Sequence, residues 1–286
     1  MSIESAKIIA HKVQPGLEGL PNIKNIIAIA SGKGGVGKST VSANLALALK
    51  AQGAKVGLLD ADIYGPSQPQ IMGSYENPNS ADQKSIEPLV LHGIQVMSIG
   101  NLVAQDTAMI WRGPMVSGAL MQLIKDTKWK DLDYLIIDLP PGTGDIQLTL
   151  SKQIPVAGAV IVTTPQDLSM IDARRAVAMF KKVNIPVLGI VENMSMHTCS
   201  KCGHEEAIFG SAGGEALSKE INLPLLGKLP LSIKIREDAD NGKPTVVRDP
   251  EGSLAQKYLS IANEVAAVLA CRPKRINVKL PGVKVE

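Results

Sequence analysis

Residues 31–40 (S-G-K-G-G-V-G-K-S-T) form a glycine-rich segment whose residue types suit phosphate binding. The common pattern G-x-x-x-x-G-K-[ST] is satisfied by Gly32, Gly37, Lys38 and Ser39. Glycines allow consecutive backbone N–H groups to point at one anion, and the lysine reaches the β- and γ-phosphates of a nucleotide. The Ser39 hydroxyl then completes the coordination of a Mg²⁺ ion. The segment therefore predicts a nucleotide phosphate site that uses Mg²⁺.

The same segment contains a second lysine, Lys33, that phosphate binding does not require. Lys33 falls in the variable stretch of the pattern. A lone lysine on a glycine-rich loop would ordinarily be a solvated charge, so this residue needs an explanation of its own.

Carboxylates follow two further apolar runs of the chain. The run Lys55–Leu59 ends in Asp60-Ala61-Asp62, and the run Tyr134–Ile137 ends in Asp138. Ligands of open α/β sheets bind at the carboxyl ends of the strands. A carboxylate placed there can hold Mg²⁺ or its waters, and another can orient an attacking water. One such aspartate could equally belong to a turn or a helix cap, but two beside a phosphate loop indicate hydrolytic chemistry.

These side chains need a sheet to position them. An Ile-rich run, Asn25–Ala30, leads into the phosphate loop, and a helix-forming stretch, Ser39–Lys50, follows it. Strand-like and helical stretches alternate over the rest of the chain, which predicts an α/β fold with a mostly parallel sheet and helices on both faces. The predicted strands are Gln95–Ile99, Gly158–Thr163, Val187–Val191 and Leu225–Leu229, and the predicted helices are Pro114–Thr127, Asp167–Lys182 and Leu254–Leu269.

Two of the three cysteines, Cys199 and Cys202, form a C-x-x-C motif, and Cys271 stands apart. In a cytosolic protein this spacing indicates a metal site or a redox pair before a structural disulfide. Redox chemistry is the least favoured use, because the residues after Cys202 form a polar turn and not an apolar helix. Cys271 has no sequence partner and is expected at a helix end.

The number of available ligands limits which metal sites the C-x-x-C motif can form. A tetrahedral zinc site or a four-iron cluster takes four ligands, and the motif supplies two thiolates. Either His197 and His204 complete a zinc site locally, or a two-fold dimer brings two cysteine pairs together. Ligand type alone does not separate zinc from an iron–sulfur cluster.

Three motifs resemble the deviant Walker A ATPases, a group that includes nitrogenase iron protein and the Min and Par positioning ATPases. They are G-K-G-G-V-G-K-S-T, D-A-D-I-Y-G-P-S and D-L-P-P-G-T-G-D. Within that group, V-E-N-M-S followed by C-S-K-C-G-H and I-F-G resembles the Mrp/ApbC family of iron–sulfur cluster carrier proteins. The resemblance runs from about Asn25 to Val247. It implies a P-loop NTPase fold and an ATPase that binds a [4Fe–4S] cluster at a dimer interface and transfers it to apo-proteins.

The resemblance also implies roles for individual residues. Lys33 matches the lysine that reaches across the dimer interface to the partner's nucleotide, and Lys38 binds its own nucleotide. Asp62 matches the residue that positions the hydrolytic water, Asp138 the aspartate near the metal, and Asn193 the asparagine that recognises adenine. Cys199 and Cys202 of both subunits would hold the cluster. The residues implied in ATP binding are Gly32, Lys33, Gly34, Gly35, Val36, Gly37, Lys38, Ser39, Thr40 and Asn193, with Ser39 also a Mg²⁺ ligand.

The chain is expected to form one ATPase domain over residues 25–270, with the C-x-x-C motif in an insertion near residues 195–209. Residues 1–24 are expected to be an irregular N-terminal segment, and residues 271–286 a flexible C-terminal tail. The expected partners are a second copy of the chain, recipient apo iron–sulfur proteins and a cluster donor scaffold.

Composition argues against other classes of partner. The net charge is +3, from 30 basic and 27 acidic side chains, and aromatic residues are only 3% of the chain, which does not suggest a nucleic-acid protein. No stretch approaches the roughly 18 apolar residues of a membrane span, and the first residues lack a signal-peptide layout. A cytoplasmic protein without membrane partners is therefore expected.

Two alternative functions remain open from the sequence. A positioning ATPase of the Min or Par kind would need a basic amphipathic terminal helix or a basic face, and the predicted helix Leu254–Leu269, which contains only Lys257 as a basic residue, counts against it. A zinc-stabilised nucleotide-binding scaffold would hold zinc and would not need Lys38.

Overall fold

The strand predicted before the phosphate loop runs from Ile23 to Ala30 (β1) and lies in the middle of the sheet. The structure, a computed structural model, describes residues 8–80, 82, 84–102 and 113–275. Residues 1–7 of the predicted N-terminal segment and residues 276–286 of the predicted tail lie outside the described residues.

An eight-stranded sheet forms the centre of the described chain. Its order is β10-β7-β6-β1-β5-β2-β4-β3, and neighbouring strands are parallel except for β3, which pairs antiparallel with β4. This confirms the mostly parallel sheet. Beyond β1, its strands are β2 (Val56–Asp60), β3 (Leu89–Leu91), β4 (Ile94–Ser98), β5 (Leu132–Asp138), β6 (Gly158–Thr163), β7 (Val187–Glu192) and β10 (Leu225–Lys228). A separate two-stranded hairpin consists of β8 (His197–Thr198) and β9 (Glu205–Glu206).

Helices cover both faces of the sheet, as predicted. The helices in the described residues are α1 (Lys38–Ala51), α2 (Gln68–Met72), α3 (Gly113–Asp126), α4 (Asp145–Gln153), α5 (Asp167–Lys182), α6 (Gly213–Ile221), α7 (Ile233–Asp240), α8 (Thr245–Arg248) and α9 (Ser253–Ala270). Buried residues of α3, α4, α5 and α6 share one hydrophobic core, and those of α1, α2, α8 and α9 share the other.

The alternation of side chains along β1 explains why the sheet needs cover on both sides. Ile27 and Ile29 belong to one core, whereas Ile26, Ala28 and Ala30 belong to the other. A parallel strand buried on both faces reads as a continuous apolar run, which is the pattern that the sequence shows.

The position of β1 fixes where ligands can bind. β1 pairs with β5 on one side and with β6 on the other, so the order in which the chain adds strands to the sheet changes direction at β1. Ligand sites of doubly wound sheets form at the carboxyl ends of the strands beside this change of direction. The phosphate loop follows β1 at that edge, and the aspartates that end β2 and β5 lie there as well.

The described part of the N-terminal segment is irregular but hydrogen-bonded to the domain. The amide and the Nδ1 atom of His11 bond to Asn25 Oδ1 at 3.0 and 2.9 Å. Gln14 Nε2 donates to the carbonyls of Ser151 and Ile154 at 2.8 and 2.9 Å. His11 also forms an isolated antiparallel bridge with Lys274, so both ends of the described chain meet at the edge opposite the phosphate loop. Within the described residues, no helix has both the length and the apolar composition that a membrane span needs.

Candidate functional site

The phosphate loop joins β1 to α1 through glycines that close packing requires. Gly37 has φ 80°, and a Cβ added to it would lie 2.3 Å from Asn193 Nδ2. A Cβ on Gly32 would lie 2.2 Å from the backbone oxygen of Asp172 in α5. Glycine is therefore the residue that fits at both positions, because the backbone of the loop contacts neighbouring elements directly.

Lys38 is buried among three residues that the sequence singled out. Its Nζ lies 2.6 Å from Asp138 Oδ1, 3.8 Å from Asp62 Oδ2 and 3.4 Å from Ser39 Oγ. The structure therefore brings Lys38, Ser39, Asp62 and Asp138 together at the carboxyl edge of the sheet. The parallel pairing of β5 with both β1 and β2 causes this arrangement, since it places the ends of all three strands side by side.

Asp138 is fully buried and accepts two hydrogen bonds besides that from Lys38. Ser42 Oγ donates to its Oδ1 at 2.9 Å, and Gln68 Nε2 donates to its Oδ2 at 3.0 Å. Gln68 also donates to the Ser39 carbonyl at 3.0 Å. This glutamine therefore joins the start of α2 to both the phosphate loop and the end of β5.

Asp60 organises the turn between β2 and α2. Its carboxylate is fully buried and accepts from the Asp62 amide at 3.1 Å, the Gln68 amide at 3.0 Å and Ser98 Oγ at 3.0 Å. Burial, followed by the nearby Asp138 carboxylate, raises the pKa of Asp60 to about 7. Burial also raises the pKa of Asp62 above its ordinary value, although Lys38 opposes the shift.

Sequence patterns assign no role to Asp60, Ser42 or Gln68. Asp60 carried a signal, because it ends an apolar strand two residues before Asp62. Gln68 carried none, since an isolated glutamine after a Pro-Ser turn has no pattern that links it to Asp138, 70 residues away.

The donor set of this cluster fits Mg²⁺. Ser39, Asp62 and Asp138 supply the hydroxyl and carboxylate oxygens that this hard cation prefers. Gln68 Oε1 is buried without a hydrogen-bond partner in the described part of the chain, which leaves an acceptor for a bound water. The cluster can therefore hold a cation, balance phosphate charge through Lys38, and orient a water.

Lys33 lies outside this cluster. Its Nζ is 3.4 Å from Gln166 Oε1, in the turn before α5, and its carbonyl accepts from Ser31 Oγ at 2.8 Å. Its side chain is half-buried and does not join the carboxylates around Lys38. Within one copy of the chain, the second lysine thus stands beside the phosphate site without entering it.

Asn193 connects the phosphate loop with a cavity. Its Nδ2 donates to the Val36 carbonyl at 2.9 Å, and its amide donates to the Thr163 carbonyl at 2.8 Å. The adjoining cavity has a volume of about 430 Å³. Its walls include Gly37, Thr40, Asn193, Met194, Pro230 and Leu231, a mainly apolar surface with an amide at one end, which suits a flat base.

The C-x-x-C motif occupies the turn of the β8–β9 hairpin. The Cys199 amide donates to the His204 carbonyl at 2.9 Å, and the Gly203 amide donates to the Cys199 carbonyl at 2.9 Å. Both cysteines are free thiols, with Cys202 exposed and Cys199 half-exposed. The Lys201 amide, then the amide and thiol of Cys202, lower the pKa of Cys199 below its ordinary value. These bonds therefore stabilise the thiolate of Cys199, the form that binds a metal, relative to that of a free cysteine.

The histidines flanking the motif do not complete a metal site with it. His197 Nδ1 hydrogen-bonds to the Leu231 carbonyl at 3.1 Å. Across residues 8–80, 82, 84–102 and 113–275, no group of three or more His, Cys, Asp or Glu side chains is arranged to hold a metal ion. The structure therefore does not support the local zinc site. Cys271 caps the end of α9 and is exposed, which confirms its expected place at a helix end.

Comparisons with known proteins agree with this geometry. Residues 22–266 match a ParA family model described as the NUBPL iron-transfer P-loop NTPase. An iron–sulfur cluster carrier protein of Pseudomonas fragi is 60% identical over 257 residues, covering 89% of this chain and 90% of the relative. The carrier protein of Escherichia coli K12 is 58% identical, covering 90% of this chain and 69% of the relative. The mouse iron–sulfur cluster transfer protein NUBPL is 45% identical, covering 96% and 88%.

Solved structures confirm the fold. A nucleotide-binding protein from Archaeoglobus fulgidus, solved in complex with ADP, is 36% identical with a TM-score of 0.70, covering 83% of this chain and 93% of that one. The cell division ATPase MinD of Pyrococcus furiosus is 25% identical with a TM-score of 0.65, covering 85% and 99%.

Proposed function

The chain belongs to the family of NUBPL iron-transfer P-loop NTPases, and from this premise we propose that it is an ATP-hydrolysing carrier of [4Fe–4S] clusters. Its cargo would be held between two copies of the chain and transferred to recipient apo-proteins in the cytoplasm, after loading from a donor scaffold. The relatives from P. fragi, E. coli and mouse carry names that support the carrier function.

The arrangement at the hairpin carries this proposal. Cys199 and Cys202 offer two accessible thiols at a turn, and the described residues provide no third ligand beside them. A four-iron cluster takes four thiolates, which two hairpins related by a two-fold axis would supply. The pKa of Cys199, lowered by the Lys201 and Cys202 amides and the Cys202 thiol, favours the thiolate form that iron binds.

ATP would bind with its phosphates in the loop and its base in the cavity beside Asn193. The bond from Nδ2 of Asn193 to the Val36 carbonyl fixes the orientation of the side-chain amide, and its oxygen would accept a hydrogen bond from the amino group of adenine. The apolar surfaces of Met194, Pro230 and Leu231 would pack against the ring. The phosphate loop residues Gly34, Gly35 and Thr40 would contact the phosphates with those already described.

Hydrolysis would begin with Lys38 exchanging its bond to Asp138 for one to the phosphates. Ser39 and Asp138 would hold Mg²⁺, which when bound neutralises charge on the β- and γ-phosphate oxygens. Asp62 would orient the attacking water and accept its proton, a role that the raised pKa of this carboxyl favours. Asp138 would thus bind the metal, and Asp62 would position the water.

Lys33 would act on the nucleotide of the partner subunit. In one copy of the chain it stands beside the phosphate site, bonded to Gln166 and apart from Asp138. A lysine supplied by a second subunit would stabilise charge on the transferring phosphate, as an arginine finger does. One two-fold axis would then serve both features, because the dimer that joins the cysteine pairs would also exchange the lysines.

Anaerobic reconstitution with iron and sulfide tests the carrier function. We expect about four irons and four sulfides per dimer, with the visible absorption of a [4Fe–4S] cluster. The Cys199→Ser variant should lose both, whereas the Cys271→Ser variant, which changes an exposed cysteine outside the hairpin, should retain them. Stoichiometric zinc that iron and sulfide fail to displace would overturn the proposal and indicate a zinc-stabilised scaffold.

A further inference from the structure

The segment Leu229–Leu231, hereafter the wall segment, borders the nucleotide-base cavity. Pro230 and Leu231 line this cavity together with Asn193 and Met194. The Leu229 amide donates to the Glu192 carbonyl at 2.9 Å, so the wall segment continues the pairing of β10 with β7 beyond the end of the sheet. A base entering the cavity therefore contacts the wall segment directly.

The wall segment also holds the base of the cysteine hairpin. The Ser195 amide donates to the Leu229 carbonyl at 2.9 Å, and the Leu231 amide donates to the Met196 carbonyl at 2.8 Å. The contact extends into β8, where His197 forms an isolated parallel bridge with Leu231 and its Nδ1 lies 3.1 Å from the Leu231 carbonyl oxygen. A carbonyl oxygen can only accept, so Nδ1 carries the hydrogen.

The connection between cavity and hairpin along the chain is short and conformationally restricted. Asn193 is bonded to the phosphate loop, Ser195 to the wall segment, and only Met194 separates them. Met194 adopts a left-handed backbone conformation with φ 57°, which is disfavoured for a residue with a Cβ. Such a conformation persists where the surrounding structure fixes it, here through the hydrogen bonds of Asn193 and Ser195 on either side.

We propose that His197 is a positioning residue that couples occupancy of the base cavity to the geometry of the Cys199–Cys202 pair. The inference rests on the proposed function, in that it takes the cavity as the base site and the cysteines as the cluster ligands. A base packed on Leu231 changes the position of the carbonyl that His197 holds. His197 then carries the change into β8, two residues before Cys199.

The thiols of the cluster-free protein report this coupling. We would measure the alkylation rate of each cysteine by iodoacetamide, with and without saturating ADP, by mass spectrometry of the peptides. ADP supplies the base without a γ-phosphate. We expect ADP to change the rate at Cys199 by about fivefold or more, the lower end of typical coupling between sites. Cys271, at the end of α9, serves as the internal reference and should keep its rate.

Three variants separate His197 from the rest of the hairpin. His197→Ala should reduce the ADP effect at Cys199 to less than about twofold, because the Nδ1 bond to the Leu231 carbonyl is lost while the backbone bridge between the two residues remains. His197→Asn should retain most of it, since its amide nitrogen can replace Nδ1 as donor. Thr198→Ala is the matched control: the side chain of this exposed neighbour hydrogen-bonds to Glu205 within the hairpin, so the parent response should persist. ADP affinity, measured by calorimetry for each variant, shows that the cavity is intact.

Two results would overturn the inference. The first is an ADP effect in His197→Ala as large as in the parent protein. The second is no ADP effect in the parent protein, a measurement that needs no variant. Neither result would contradict the proposed carrier function. That function is tested separately, by whether the parent protein binds iron and sulfide and Cys199→Ser loses them.

Discussion

Lys38 and Asp138 form a buried ion pair, with 2.6 Å between Nζ and Oδ1 and no exposed surface on the carboxylate. The pair holds the phosphate-binding lysine against the residue proposed to bind the metal. In the proposed mechanism an arriving nucleotide would replace this contact, so that binding of phosphate to Lys38 would release Asp138 toward the cation.

Replacing Lys38 with methionine should destabilise the protein and abolish ATP hydrolysis. The substitution keeps the length of the side chain but leaves the Asp138 charge buried without its partner, which costs about 3–5 kcal/mol. Urea denaturation measures this cost. The matched control is Lys24→Met, which removes an ion pair of the same 2.6 Å length whose lysine is 46% exposed. That change should cost about 0–1 kcal/mol, and equal costs for the two variants would contradict the argument from burial.

Mixing two inactive variants tests whether Lys33 acts across a dimer. Lys33→Ala and Asp62→Ala should each lose hydrolysis when purified alone. In a mixed dimer, the intact Lys33 of one subunit would reach the site that retains Asp62 in the other. Because half of the dimers are mixed and each has one complete site, we expect roughly a quarter of the parent ATPase rate. A mixture as inactive as its components would show that Lys33 does not serve the other subunit.

Gln68→Leu should lower stability and weaken hydrolysis. Gln68 is fully buried and its Nε2 donates to Asp138 and to the Ser39 carbonyl, so leucine leaves both acceptors short of a donor. We expect a loss of about 1–3 kcal/mol in urea denaturation. Gln153→Leu is the matched control, since Gln153 is exposed at the end of α4, and it should change stability by less than about 0.5 kcal/mol. A Gln68→Leu protein as stable as this control would rule out the bridging role.

Because of Asp60, the free energy of unfolding should fall as the pH rises from about 4 to about 7. Its pKa is raised from 3.8 to about 7 in the native state, so in this range the folded protein binds a proton that the unfolded chain has released. The stabilising contribution of Asp60 is complete below the pKa of the unfolded chain. It is lost as the pH rises through the pKa of the native state. The measurement is the free energy of unfolding of the parent and of Asp60→Asn as a function of pH.

The difference in unfolding free energy between the parent and Asp60→Asn should decrease across this window and be level above it. Asp131→Asn, which alters an aspartate with an 83% exposed side chain, should leave the slope of the parent unchanged. A pH-independent difference for Asp60→Asn would mean that Asp60 is ionised throughout.

Much of the fold could be predicted from the sequence because local patterns report local structure. The helix predicted over Asp167–Lys182 has those bounds, and α1 begins one residue before the predicted Ser39. Apolar runs that end in carboxylates placed Asp62 and Asp138 at one edge of the sheet. The short elements α2, β3 and α7 escaped prediction, since a few residues without strong periodicity give no signal.

The sequence by itself determined the phosphate loop, the cysteine motif and the alternation of strands and helices, because each depends on residues close together in the chain. Only the tertiary structure decided that Gln68 bonds to Asp138 and that His197 bonds to Leu231. These contacts join segments that lie far apart in sequence, and they exist because the strand order places β2 beside β5 and β10 beside β7. Strand order is set by packing of the whole sheet, which no local pattern encodes.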